Sequence, residues 1–556
     1  MKKHLPIILL FLFIMPTIWA NDIYYEITEG QSVYQIQNDL QNTINNAANN
    51  DKIIVTGSKT NVDVTLFLNI PANKTVIWKA NYQASIAVSP LLSLSGNGTF
   101  EVSGGVLVTS NGNTIYGNGT SSTVIVSANS KVKTSGGGVH AITTKGNVEI
   151  KENAVISGTI GEVIETTGDN SIVTMSGGSV TATSENAIIA QGINAKVFVS
   201  GGILSNMATI DPYPVIFMRH QNNNQLNVQI SGTAKVVSSG KGFGIYSYGN
   251  VDISGNAYIG AAENHAIYTG GSDSKITISG ESKIEATGSD ATIWMLGRAV
   301  EVKDNAHVIA KNAMAIYILS DDNSLTISGT SKVEAAGWVQ TIETSAHTGT
   351  IEVKDKAQVI AKKYPVAITN NKGANIITIS GGAVFAPTSN INLVVSGINF
   401  NGPTENGVIL AWGKGGGTPS YEIFSTTDIL LQPTLAFAYW DKKGNLNGIS
   451  YAMGANTGFI PLDVNVLSVK EPVLSNITLY PNPTTGVLNL IHDLVTNDAL
   501  HVTGVEVFDI YGKKQSHASH VTSNDNTINI AHLPAGLYFV KIRSEAGEVV
   551  KKVIKL

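Results

Sequence analysis

The chain has no cysteine and little charge. Without cysteine there is neither a disulfide nor a lipidated anchor, so an exported chain of this kind must hold itself together by packing and backbone pairing alone. Charged residues make up only 14 % and the formal net charge is −5, which leaves no basic field to attract nucleic acid or an anionic membrane surface. Neither is expected as a partner. Long hydrophobic runs are also scarce. The principal one lies in "MKKHLPIILLFLFIMPTIWA", where Lys2 and Lys3 precede an apolar stretch from Leu5 to Trp19 and the small Ala20. That stretch falls short of the ~20 residues a spanning helix needs, and no stop-transfer pattern follows. Residues 1–20 are therefore expected to be a signal peptide cleaved after Ala20, with no transmembrane segment.

What the chain does have is glycine, 55 residues of it, together with abundant Ser, Thr, Asn, Val and Ile, a mixture that favours strands and turns. The phrase "hydrophobic-Ser-Gly" recurs, with anchors at Val102, Val126, Ile150, Met175, Val199, Ile230, Ile253, Ile278, Val302, Ile327, Val353 and Ile379. Eleven intervals over 277 residues average about 25, a period in the range of solenoids. A second apolar column follows each anchor by four to six residues, at Val132, Val155, Val180, Ile203 and Val236 among others. A third follows by thirteen to seventeen, from Ile142, Ile164 and Ile188 through Ile316, Ile342 and Ile368 to Leu393. Three short β-branched patches per period, separated by Gly, Ser, Asn and Asp, describe three strands joined by corners.

Leucine-rich repeats would need a leucine lattice and helical turns, propeller blades about 40 residues, and immunoglobulin-like domains about 100. The remaining fold is all-β, a right-handed parallel β-helix of about 12 coils of ~25 residues, roughly 55 Å long at ~4.8 Å per coil. The body resembles repeat proteins of that architecture. At Ile150, Val302 and Val353 the corner reads "KE" or "KD" in place of "SG", the same outward corner in charged form or a Lys/Asp recognition edge. Ser32 can cap a helix whose face carries Val33, Ile36, Leu40, Ile44 and Ala47, a cover for the first raw sheet edge. At the other end, a hairpin turning at Lys443-Gly444 is expected to close the rod.

From Leu474 the text changes to alternating strands and Pro/Gly turns, expected to form a β-sandwich. It carries "YPNP" with Pro481, Asn482 and Pro483, followed by Gly486; "VEVFDIYGK" with Gly512; "LPAGLYFVKI" with Gly536 and Tyr538; and the basic ending "KKVIKL" with Lys551, Lys552 and Lys555. Together and in this order these motifs closely resemble the type A C-terminal sorting domain of the Bacteroidetes type IX secretion system. The resemblance implies recognition by that secretion machinery, export through the outer membrane, and removal of the tail with either attachment to surface lipopolysaccharide or release. The expected division is a signal peptide over 1–20, a capping helix and first coils over 21–97, the β-helix over 98–399, a cap and linker over 400–470, and the sorting domain over 471–556.

Chemistry on the rod is harder to find. Only Arg219 and Arg298 lie in it, and no column shows Asp or Glu recurring over three adjacent coils. Glycosidases need two facing carboxylates; Asp321 and Asp322 qualify by type, but turn-forming Asp is the commoner role. His140 and His265, each two residues before the third column, lack a recurring partner and are expected to be corner residues, so no metal or cofactor is expected. One enlarged coil of 31 residues carries Asp211, Arg219 and His220. Immediately after the third column stand Phe217, Tyr246, Tyr268, Trp294 and Tyr317, five aromatics in five consecutive coils. If the Ile column points inward, these point outward as a stripe. Such a stripe could bind an extended glycan, its rings could stack on one another as structure, or the assignment of inside and outside could be reversed and the rings fill the core. The reading preferred is a non-catalytic, adhesin-like protein for carbohydrate or a host surface, at the outer-membrane surface or released from it. The alternatives are a polysaccharide lyase or hydrolase, and a purely structural rod.

Overall fold

The computed structural model describes residues 20–84, 89–220 and 226–370, most of 372–396, and shorter stretches between 408 and 556. The expected signal peptide lies outside the described residues, as does most of 426–476. The chain forms two compact units, Met1–Pro461 and Leu462–Leu556.

The first unit is a parallel β-solenoid of about 13 turns. Each turn has three short strands; Lys275–Ile278, Lys283–Ala286 and Ile293–Met295 make one of them. Like residues lie over like because each strand pairs in register with its equivalent one turn away. On the first face the anchors stack without a break from Val102 to Ile379, and all are buried. Alternation then sends every second residue outward, so a β-branched column fills the interior while its neighbours decorate the surface. The third face is a sheet of 14 strands running from Leu66–Asn69 to Val395–Ser396.

Two positions in the second column and one in the third depart from the sequence expectation. Ile156 and Leu204, not Val155 and Ile203, stack with Val132, Val180 and Val236; Val155 and Ile203 face solvent, 39 % and 45 % exposed. Both sites are apolar pairs, so composition alone leaves the phase open, and the length of the preceding corner fixes it. At the last turn Val395, not Leu393, pairs with Ile368, because a short helix, Ile391–Val394, interrupts the period.

The charged corners are the same corner with its own capping. Asp304 and Asp355 adopt left-handed backbone, φ 60° and 59°, where neighbouring turns use Gly280 and Gly329. Each carboxylate accepts the N–H of the glycine one turn earlier, at 3.0 Å. The preceding lysines pair with the glutamate two residues back, Lys303 with Glu301 at 3.2 Å and Lys354 with Glu352 at 2.8 Å. Asp304→Gly should therefore stay within about 1 kcal/mol of wild type, whereas Asp304→Val, which loses the acceptor and strains φ, should cost about 2 kcal/mol in thermal or denaturant melts.

A buried charge sits on the outer side of the second face. Glu334 is 3 % exposed, with Lys362 Nζ at 3.0 Å and His307 Nε2 at 3.6 Å from its carboxylate. Burial pushes this carboxyl up, but the His307 imidazole and the Lys362 ammonium outweigh it and bring it down to about 2. A depressed folded pKa gives stabilisation that is complete above the unfolded value near 4.5 and is lost as pH falls toward 2. The wild type should lose on the order of 3 kcal/mol across that window. Melting temperature against pH should be correspondingly flatter in Glu334→Gln.

A helix covers the first end of the solenoid, and a hairpin extends one face at the other. The helix Val33–Asn46 starts at Ser32, whose Oγ accepts from Gln35 N at 3.2 Å, and buries Val33, Ile36, Leu40 and Ile44. Its polar side completes the raw edge of the third face. The Gln41 amide accepts from Asn69 N at 2.7 Å and donates to Asn69 O at 2.9 Å, while Gln37 Oε1 accepts from Phe67 N at 3.1 Å. These side-chain amides stand where a preceding strand would be. At the other end the hairpin Val408–Gly415 with Thr418–Ser425 continues the second face, pairing parallel with Ala383–Ala386. The hairpin turn expected at Lys443-Gly444 lies outside the described residues; just beyond it Asn445–Leu446 pairs antiparallel with Ile449–Ser450. The stronger turn signal in that stretch is Asn447-Gly448.

The second unit has two three-stranded antiparallel sheets, Ile477–Tyr480, Val487–His492 and Thr527–Asn529 in one, Val502–Asp509, Gly536–Ser544 and Gly547–Lys555 in the other. They share a core of Leu479, Leu488, Val507, Ile528, Val540, Ile542 and Val553.

Candidate functional site

The outward column of the third face holds the aromatic stripe. Phe217, Tyr246, Tyr268, Trp294 and Tyr317 pair directly, one turn on the next. Each is half-buried beside a buried Ile, so the rings lie outside the core. They also touch one another. Ring centroids are 5.1 Å apart for Phe217–Tyr246, 4.5 Å for Tyr246–Tyr268, 6.5 Å for Tyr268–Trp294 and 4.7 Å for Trp294–Tyr317. Most of these contacts are tilted or edge-to-face, an arrangement favoured by the ring quadrupole. Mutual stacking and outward presentation thus coexist.

Three further rings that the sequence reading did not assign to the stripe belong to it. Phe243 and His265 occupy the position two before the Ile column and flank the stripe, Phe243 5.7 Å from Tyr246 and His265 5.0 Å from Trp294. Tyr248 Oη lies 2.9 Å from Tyr246 Oη. The shared offset of Phe243 and His265 from Ile245 and Ile267 was a usable signal. His265 is buried, its Nδ1 2.6 Å from Ala291 O. Burial holds its imidazole below the usual range, with the Ala291 carbonyl and Asp290 acting the other way. Burial likewise raises the Tyr246 and Tyr268 phenols, helped at Tyr246 by the Tyr248 hydroxyl. These groups are therefore uncharged near neutral pH, and this stretch of the stripe suits a neutral ligand.

Arg219 and His220 are exposed at the end of the Phe217 strand. Arg219 Nη1 donates to Gln191 Oε1 at 3.3 Å, and Gln191 Nε2 to Glu165 Oε1 at 2.6 Å. This polar ladder crosses three turns beside the stripe, where Glu165 and Ile189 continue its column. Along the preceding corner the fold gathers carboxylates that the sequence scatters. His140 lies 3.4 Å from Glu162 and 3.5 Å from Glu165, and Glu185 is near enough to feel the Glu162 carboxylate. Burial, then the Glu162 carboxylate, raise the Glu185 carboxyl, with Asp211 adding to the rise and His140 opposing it. Corners of unequal length hide this cluster from a search by fixed offsets. Asp321 and Asp322 serve corners, binding His347 N at 2.6 Å and Thr348 Oγ1 at 2.7 Å. Among the described residues no group of three or more His, Asp or Glu is placed to hold a metal ion.

In the second unit the motif residues tie the tail together. Asn482 donates through Nδ2 to Lys552 O at 2.8 Å and accepts at Oδ1 from Ile554 N at 2.9 Å, fastening its loop to the last strand. Pro483 follows it. At Gly486, φ 148°, a Cβ would stand 2.5 Å from Ala531 Cα. Gly536 opens its strand, and Tyr538 Oη donates to Pro534 O at 2.9 Å. Lys551, Lys552 and Lys555 lie on the last strand. Pro481 and Gly512 lie outside the described residues.

No helix among the described residues is long and apolar enough to cross a membrane. A comparison with curated proteins found no match. Residues 478–556 match a family model described as the secretion system C-terminal sorting domain. The tail is thus a type IX sorting domain, and its presence implies that the chain is cargo of that system, engaged by its machinery and exported to the cell surface or beyond.

Proposed function

We propose that the exported solenoid is a non-catalytic, adhesin-like binding protein whose third face takes an extended carbohydrate chain, free or on a host surface. The observation that carries this reading is the column of five half-exposed aromatic rings repeating at the rung spacing of ~4.8 Å. Sugar C–H faces pack on such rings, while hydroxyls find Arg219, Gln191 and Tyr248 along the edge. His220 extends that edge. The reading includes a leader over 1–20, removed on export, and a solenoid with caps over 21–470.

A polysaccharide-degrading enzyme is the second reading, favoured by one observation, the Glu185 carboxyl raised beside Glu162 and His140 along the corner that precedes the column. A glycan array probed with the protein from residue 21 onward separates the readings. Retention of linear neutral glycans supports binding; depolymerised products that vanish in Glu185→Gln support the enzyme. No retention and no products leave a structural rod.

A further inference from the structure

The outward column of the third face has a second aromatic segment, at the N-terminal end, that the stripe does not include. Phe67, Ser93 and Tyr116 pair in register on three successive turns. Here the rings are two rungs apart, ~10 Å along the column, beyond the 4.5–7 Å at which rings stack on each other. Their faces are left open over a small residue, and Phe67 is 56 % exposed. The polar side of the helix Val33–Asn46 walls this floor and encloses a depression of about 430 Å³. Every residue lining it is neutral, and amides dominate, among them Gln37, Asn38 and Asn118. Gln41 and the Gln37 carbonyl are committed to the sheet edge. The Gln37 Nε2 group, the Asn38 and Asn118 amides and the Tyr116 hydroxyl have no hydrogen-bond partner among the described residues.

We infer that this depression is a second saccharide site, taking one or two residues of a neutral sugar chain between the Phe67 and Tyr116 rings with the amides on its hydroxyls. Aromatic faces with convergent neutral donors and acceptors and no fixed charge match a polyol and disfavour a charged ligand. The inference shares its ligand class with the function proposed above but uses none of the stripe residues.

The test is calorimetric titration of the chain from residue 21 onward with cellohexaose, laminarihexaose and mannohexaose, in the background Tyr268→Ala/Trp294→Ala, which removes two central rings of the stripe and leaves this site intact. At least one hexaose should still bind. Adding Phe67→Ala/Tyr116→Ala should weaken that binding about tenfold or more, and adding Asn38→Ala/Asn118→Ala, on exposed side chains that fill no core, should weaken it several-fold. No binding by any of the three sugars in that background, or binding indifferent to both sets of changes, overturns the site. Failure of the stripe reading looks different, since wild type and the stripe background would then titrate alike.

Discussion

A chain lacking residues 478–556 is expected to fold its solenoid and yet fail to appear at the cell surface or in the medium. Fractionation followed by immunoblotting should show the surface and secreted signal falling to background, with the protein retained within the envelope. The solenoid should survive because the tail has its own core, centred on Leu488, Val507, Ile528, Val540 and Val553, in a separate compact unit. A milder lesion should act through the fold of the tail. Gly486→Val places side-chain atoms against Ala531, where a Cβ alone would already be 2.5 Å from Cα and Cβ. Asn482→Ala removes the two hydrogen bonds that fasten its loop to the last strand. Each should reduce export without changing the melting of the solenoid. Normal surface levels for the truncated chain would mean that the tail is not the export signal.

The second large effect is expected at the stripe. Tyr268→Ala/Trp294→Ala should weaken glycan binding by at least about thirtyfold, taking ~1 kcal/mol or more per central ring. The same change also removes the contacts of Trp294 with Tyr317 at 4.7 Å and with His265 at 5.0 Å, so some loss of stability is unavoidable, on the order of 1 kcal/mol per ring pair. Trp294→Phe separates the two effects, since it keeps an aromatic rung in the stack while shrinking the face offered to a sugar. A melting temperature near wild type with binding weakened several-fold is the expected outcome, measured on the glycan retained by the array. Equal loss of stability and binding in both variants would mark the rings as structural.

How much of this was legible in the sequence varies by column. The first-face anchors were legible throughout, because most are β-branched residues with a polar residue before them and a recurring Ser-Gly or Lys-Asp/Glu corner after them. The second column slipped at Val155 and Ile203, where two adjacent apolar residues make both phases plausible and only the pairing decides. The aromatic column was visible as a column, but Phe243 and His265, two positions upstream, were not recognised as part of it. The carboxylates Glu162 and Glu185 come together across corners of different length, so no fixed offset reveals them. The Gln37 and Gln41 amides that finish the sheet edge could not be foreseen either. Their role depends on how the helix docks, while the sequence pattern reports only its apolar face. The sorting tail was the reverse case, since several short motifs in fixed order carry the identification without any need for packing.

The central claim is that stacked turns convert an aligned column of aromatics into a sugar-binding surface. It is tested most directly by fluorine NMR on the chain labelled with 5-fluorotryptophan, with the Trp294 resonance assigned by its disappearance in Trp294→Phe. Titration with the glycan retained by the array should move or broaden the Trp294 signal in step with saturation, while the signal of Trp78, buried in the first turns, stays fixed. Saturation with the Trp294 resonance unmoved would contradict the account.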